Sequence, residues 1–122
     1  MPRRDSDKDF LTSTGIRTIM GTVVTLTDAA TVASNWAAGS YLTVTVAGSR
    51  TMGAPTGMVA GQFVTYEINN GTGGAIVTTW NAAFHLAGAW VDPAAFNNIR
   101  AITFRYDGTT IRETSRTTAD QT

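Results

Sequence analysis

Strict alternation of apolar and polar residues is the feature that most constrains this chain, and it is clearest in residues 41–46, YLTVTV. The leucine and the two valines take one side, while the tyrosine and the two threonines take the other, because successive side chains of a strand point to opposite faces. A helix would scatter the same residues around its surface. This segment therefore predicts a strand with one buried face.

A second stretch, residues 62–80 (QFVTYEINNGTGGAIVTTW), contains two β-rich runs that flank a glycine-rich loop. Val64, Tyr66 and Ile68 share one face of the first run. The loop holds the pair Asn70-Gly71, which hairpins favour because both residues tolerate positive φ. The stretch predicts a central β-hairpin with the core on one side.

Further short strands are predicted over residues 22–27, within 28–35, and over 50–52, 102–106 and 109–113. Asp107-Gly108 gives a type I′ turn signal between the last two. Threonine is the commonest residue, and no repeat of solenoid length is visible. Short strands separated by glycine-rich turns predict an all-β fold, specifically a compact antiparallel β-sandwich or jelly roll with an extended N-terminal arm.

The length of 122 residues and the hydrophobic fraction of 43% suit one domain. Six of the first nine residues are charged, which sets the start of the chain apart. We expect an arm over residues 1–20, a β-sandwich domain over 21–114 and a polar, mobile C-terminal tail over 115–122. The arm is either a frayed terminus or a segment whose apolar pair, Phe10-Leu11, orders on a neighbouring subunit.

Charge and cysteine content exclude several partners. Nine basic and nine acidic residues give a formal net charge of zero, so nothing attracts the chain to nucleic acid or to an anionic membrane. No stretch approaches the roughly 18 apolar residues of a membrane span, and no leader is recognisable at the N-terminus. The absence of cysteine excludes disulfides and thiolate metal ligands.

The residues that could carry chemistry lack partners. The single histidine, His85, has no nucleophile motif and no second histidine at metal spacing. Two carboxylates could meet as a glycosidase pair, but roles in turns and on strand surfaces are favoured; the candidates are Asp28, Glu67, Asp92, Asp107 and Glu113. The Gly71–Gly74 loop lacks the lysine of a phosphate loop. We expect no enzyme activity, cofactor or metal.

Three tryptophans, Trp36, Trp80 and Trp90, could form a sugar-stacking platform together with Tyr41. Anchors in the core or at an interface are the favoured role for aromatic residues in a β domain of this size. Threonine on the outward faces leaves the sheets with few charges to protect them, so identical neighbours can cover them.

Several blocks of the sequence together resemble a small β module of tailed-phage virion structural proteins, over about residues 23–113. The blocks are Val24–Val32, Thr43–Met52, Gly61-Gln62, Gly71–Gly74, Val77–Phe84 and Ile102–Gly108. The most specific parts are GTGG followed by a strand and the TW-N-x-A-F pattern, and the TF-x-YDGT end. The resemblance implies a compact β-sandwich or jelly roll, often trimeric, without catalytic residues.

In this reading the chain is a capsid decoration (cement) protein, a homotrimer on the capsid exterior that binds the major capsid protein and stabilises the shell. The alternative is a tail or fibre module that binds a receptor or a host surface carbohydrate. A glycan depolymerase is a third, less favoured reading. The residues expected at capsid or subunit contacts are Arg3, Arg4, Phe10, Leu11, Trp36, Trp90 and Phe96.

Overall fold

A computed structural model describes residues 22–122, so the predicted N-terminal arm lies outside the described residues. Every regular element in this range is a strand. The described residues form no helix that could span a membrane. The strands are β1 (Val23–Thr25), β2 (Thr31–Val32), β3 (Tyr41–Val46), β4 (Arg50–Met52), β5 (Phe63–Asn70), β6 (Thr78–Trp80), β7 (Phe84–His85), β8 (Ile99–Tyr106) and β9 (Ile111–Arg116). The all-β prediction is confirmed.

The strands form two sheets. The large sheet has six strands in the order β1-β3-β5-β8-β9-β7, and the small sheet has three in the order β2-β4-β6. From β1 to β6 the chain passes alternately through the large and the small sheet, and each strand pairs in parallel with the one before it in its own sheet. The result is a short β-solenoid-like stack of three coils, followed by antiparallel pairing of β8 with β5 and β9.

The expected antiparallel arrangement is therefore wrong for most strand pairings, because five of the seven pairings in the two sheets are parallel. The coils also explain why the sequence shows no repeat. Val23 pairs with Tyr41, and Tyr41 in turn with Thr65, so the second coil is longer than the first. Loops of unequal length hide the common architecture.

The predicted central hairpin is also wrong, since β5 and β6 lie in different sheets. Asn70 is fully buried at the end of β5, where its Nδ2 donates to the carbonyls of Gly74 (3.1 Å) and Pro93 (3.0 Å). Its Oδ1 accepts the Thr72 amide at 2.9 Å. Gly71 is required for close approach, because a Cβ there would lie 2.9 Å from the carbonyl oxygen of Val46. The Asn-Gly pair thus forms a corner between sheets.

One core lies between the two sheets, as the alternation in residues 41–46 predicted. Leu42, Val44 and Val46 are almost completely buried, and burying each such side chain contributes about 1.5–3 kcal/mol. Aromatic rings fill the centre with edge-to-face and tilted contacts between centroids 4.9–5.9 Å apart, among Tyr66, Trp80, Phe84 and Phe104. Inward-facing residues of both sheets belong to this core.

A turn joins the last two strands where one was predicted, but it is not of type I′, since that type needs positive φ at both central residues and Asp107 lacks it. Gly108 has a φ of 101°, and β8 pairs antiparallel with β9. The Asp107 carboxylate accepts the amides of Thr109 (2.9 Å) and Thr110 (2.7 Å), and its other oxygen pairs with Arg112. A side chain that bonds the backbone two or three residues ahead is typical of aspartate in turns.

The C-terminal residues are tied to the body of the protein. Strand β9 continues to Arg116, and Gln121 bridges to Ile99 at the start of β8. The Asp120 carboxylate accepts the Ala94 amide at 2.9 Å and pairs with Arg100 at 2.6 Å. The tail expected to be mobile therefore has specific contacts with β8 and the connection that precedes it.

Candidate assembly surface

The outward side of β1, β3, β5 and β8, here called the outer face, spans four neighbouring strands of the large sheet. Parallel and antiparallel register places side chains in rows across it, and one row contains Val23, Tyr41, Thr65 and Thr103. The next row contains Thr25, Thr43, Glu67 and Ala101, followed by Thr45, Asn69 and Ile99. These are the residues that alternate with the buried ones along each strand.

The outer face carries little charge. Glu67 and Arg105 are the charged residues at the outward positions of these four strands. Burial, together with the charge and hydrogen bonding of Glu67, raises the pKa of Tyr41 above its usual range. The phenol of Tyr41 therefore stays protonated and bonded to the carboxylate, which leaves a mostly neutral surface of hydroxyl groups.

Apolar side chains project from the same face. Val23 is 60% exposed, Phe63 53% and Tyr41 37%. Thr65 and Thr103 fix the surface between them through a 2.7 Å hydrogen bond between their hydroxyls. A group of exposed apolar residues on a weakly charged sheet is compatible with contact to another protein.

The contact residues predicted in the sequence do not come together on this face. Arg3, Arg4, Phe10 and Leu11 lie outside the described residues. Trp36 is completely buried, and its Nε1 donates to the Tyr66 hydroxyl at 2.9 Å. Burial makes Trp36 a core residue, so its predicted role as a contact at the surface is corrected.

Trp90 and Phe96 lie on the connection between β7 and β8 and not on the strands of the outer face. Phe96 is 60% exposed and remains a candidate contact residue. Trp90 is half-buried, with its ring 5.5 Å from Trp80 and its Nε1 donating to Asp92 at 2.8 Å. The guanidinium of Arg116 lies 5.7 Å from the Trp90 ring centroid.

The same positions show where the four aromatic residues considered for a sugar-stacking platform lie, namely Trp36, Trp80, Trp90 and Tyr41. Trp36 is buried beside Tyr66, Tyr41 is on the outer face, and Trp80 packs into the aromatic core. The four residues therefore do not form one exposed row of rings. A stacking platform for sugars needs ring faces open to solvent on one surface.

Most carboxylates near the strands serve local structure. Asp28 accepts the Ala47 amide and pairs with Arg50 at 2.6 Å, and this hydrogen bond to Arg50 is the main cause of its lowered pKa. Asp92 binds the amide and hydroxyl of Thr78 at 2.7 and 2.6 Å. The aspartate thus fixes the start of β6, a role beyond the one expected from its place before Pro93.

Glu113 holds the loop before Trp90 in the same way. It pairs with Arg116 at 2.6 Å and accepts the Ala87 amide at 2.7 Å, and the Arg116 bond is the main cause of its lowered pKa. Arg116 also donates to the carbonyls of Gly88 and Ala89. His85 is exposed on β7, and residues 22–122 contain no group of three His, Cys, Asp or Glu side chains suited to a metal ion.

The sequence predicted which residues face outward, but not which strands form the outer face. Alternation identified which residues of each strand point outward, including Tyr41, Thr43 and Thr45. Which strands lie side by side depends on the parallel coils, which local patterns do not encode. The row from Val23 to Thr103 therefore became visible only in the folded chain.

Comparisons with protein-family models, with curated proteins and with solved structures found no match for this chain.

Proposed function

We propose that this chain is a virion structural protein that acts by packing against copies of itself and against neighbouring subunits, without catalysis. The outer face is the observation that carries this proposal, because it combines exposed Val23, Tyr41 and Phe63 with a weakly charged, threonine-rich sheet. The resemblance to tailed-phage structural modules supplies the context. Within it, the chain serves as a capsid decoration protein on the exterior of the shell.

The physical requirements of such a protein match this surface. In the proposal the two sheets act as a small sandwich, whose large layer meets the neighbouring subunits around a three-fold axis. The major capsid protein is the other partner, and many modest contacts linked through the trimer hold the shell by avidity. Phe96, exposed on the β7–β8 connection, is available for the second contact.

A pair of matched variants tests the role of the outer face. Thr45 and Thr79 are both exposed threonines on strands, but Thr45 points out of the large sheet and Thr79 out of the small one. Thr45→Lys places a charge on the outer face, where burial in an interface would disfavour it. Thr79→Lys makes the same chemical change elsewhere.

Sedimentation measures the outcome, first for the purified full chain and then with empty capsids of the phage that encodes it. We expect the parent and Thr79→Lys to sediment as trimers and to pellet with shells at a fixed ratio. Thr45→Lys should sediment as a monomer and stay in the supernatant. A parent chain that is monomeric and does not pellet would refute the proposal.

The second candidate, a tail or fibre module, is favoured by a different observation. β1 and β2 are the outermost strands at one end of both sheets, so parallel coils of a longer body could continue from that end. This candidate predicts binding of host surface carbohydrate without binding to capsids. Binding to a host glycan array combined with failure to pellet with shells would select it.

A further inference from the structure

Among the described residues, none covers one side of the first coil of the stack. β1 is the outermost strand of the large sheet and β2 the outermost strand of the small sheet, and both lie at the same end. A groove of about 530 Å³ lies between them. Its lining includes Val24, Leu26, Ala29, Ala33, Ala38 and Ala54 beside threonine, serine and asparagine side chains, and none of the described lining residues is charged.

This groove is the end of the core. Leu26 is buried and Val24 half-buried, and both pack with the core cluster that continues through the next coils. The alanines around them are exposed at the rim. In stacked repeats each coil covers the apolar face of the next, so a terminal coil needs a cap to keep its apolar side from water.

We propose that residues 10–20 of the same chain cover this groove and act as its cap. The described chain begins at Thr22, one residue before β1, so the preceding segment starts at the rim of the groove. Residues 10–20 read FLTSTGIRTIM, with five apolar side chains at Phe10, Leu11, Ile16, Ile19 and Met20. Eleven extended residues reach at most about 36 Å, which permits more than one crossing of a terminal coil.

Charge distinguishes this segment from the one before it. Residues 10–20 carry one charged side chain, Arg17, whereas six of the first nine residues are charged. The uncharged described lining matches the apolar segment, because burying unpaired charges against it would be unfavourable. Residues 1–9 are therefore outside the proposed cap, and the outer face plays no part in it.

The absence of cysteine makes a direct accessibility test possible. Ala33→Cys and Ala38→Cys each place one thiol on the groove lining, at exposed positions of the described chain. Ala75→Cys places the same thiol on the exposed connection between β5 and β6, outside the groove. The rate of maleimide labelling is then measured in the full-length chain.

Capping predicts that the groove thiols label at least about tenfold more slowly than the Ala75→Cys thiol, at every protein concentration. Replacing Phe10, Leu11, Ile16 and Ile19 by serine should abolish the difference, and replacing Arg3 and Arg4 by serine should leave it unchanged. Tryptophan fluorescence of each variant checks that the core containing Trp36 remains folded.

Three results would overturn the proposal. Equal labelling rates at groove and control positions would show that the groove is open. Protection that disappears on dilution would assign the cap to a second copy of the chain. Protection that survives the four serine substitutions in a folded protein would assign it to other residues or to a bound apolar ligand. None of these results depends on whether the protein binds capsids.

Discussion

The indole Nε1 of Trp36 donates a 2.9 Å hydrogen bond to the hydroxyl of Tyr66, deep between the two sheets. Ser34 shares the same hydroxyl at 2.6 Å, and both aromatic side chains are completely buried. Burial is the largest influence on Tyr66 and raises its pKa, so the hydroxyl stays protonated and can serve both partners. This connection ties the β2–β3 segment to the centre of the large sheet.

Tyr66→Phe should lower the free energy of unfolding by about 1–3 kcal/mol, because the buried Trp36 N–H and Ser34 hydroxyl lose their partner. Urea denaturation followed by tryptophan fluorescence measures the change. Tyr41→Phe removes the same atom from a partly exposed tyrosine of the outer face, where water can replace the hydrogen bond to Glu67, and we expect a change of at most about 0.5 kcal/mol. Equal effects of the two substitutions would contradict the importance of the buried bond.

Asn70→Asp should destabilise the fold by about 3 kcal/mol or more near neutral pH. The substitution replaces an amide that donates to the Gly74 and Pro93 carbonyls with a buried carboxylate that faces the same oxygens. Burial would raise the pKa of the introduced carboxyl, so lowering the pH should recover part of the loss.

Asn81→Asp is the matched control for this change. Asn81 is exposed and uses only its Oδ1, which accepts the Ala83 amide, so a carboxylate can replace it with little effect. Thermal unfolding of both variants between pH 4 and 8 measures the difference. A loss in the Asn70 variant no larger than in the Asn81 variant would show that the corner between the sheets does not depend on the amide.

Gly108→Ala should cost about 1–2 kcal/mol, because the φ of 101° lies where side chains with a Cβ are strained. The new methyl group would also lie 3.3 Å from the Ala60 Cβ. Gly73→Ala is the control, since Gly73 lacks a positive φ and its Cβ would meet nothing within 4 Å. We expect that variant to be unchanged or slightly more stable in chemical denaturation.

Acid should destabilise the protein through the carboxylates at the C-terminal end of the chain. Backbone amides are the main cause that lowers the pKa of both Asp107 and Asp120 to about 2, from 3.8. A carboxyl with a lowered folded pKa stabilises the fold above its unfolded pKa, and this contribution is lost as the pH falls through about 2. The midpoint of thermal unfolding should therefore decrease between pH 4 and 2.

The double variant Asp107→Asn/Asp120→Asn tests the source of this decrease. Asparagine keeps an oxygen that accepts backbone amides but has no charge to titrate. We expect its unfolding midpoint to change less between pH 4 and 2 than that of the parent chain. An identical dependence in both proteins would attribute the acid sensitivity to other groups, such as Asp28 and Glu113, whose pKa values are also lowered.

The sequence by itself determined the local elements and the faces of the strands. Alternation in residues 41–46 identified the buried side of β3, and Asp107-Gly108 identified the final turn, because both depend on neighbours within a few residues. The same alternation showed that threonines would face outward. The all-β class and much of the core therefore followed from short-range chemistry.

Only the tertiary structure decided how the strands meet. Asn70-Gly71 has the sequence of a hairpin turn, yet the side-chain amide of Asn70 donates to the carbonyl of Pro93, which is distant in the sequence. The chain then continues from β5 in the large sheet to β6 in the small sheet. Trp36 was predicted to be a contact residue at the surface, but it is completely buried and donates a hydrogen bond to Tyr66, thirty positions further along the chain. Parallel pairing joins residues far apart in the chain, and such contacts depend on the packing of the whole core rather than on any local pattern.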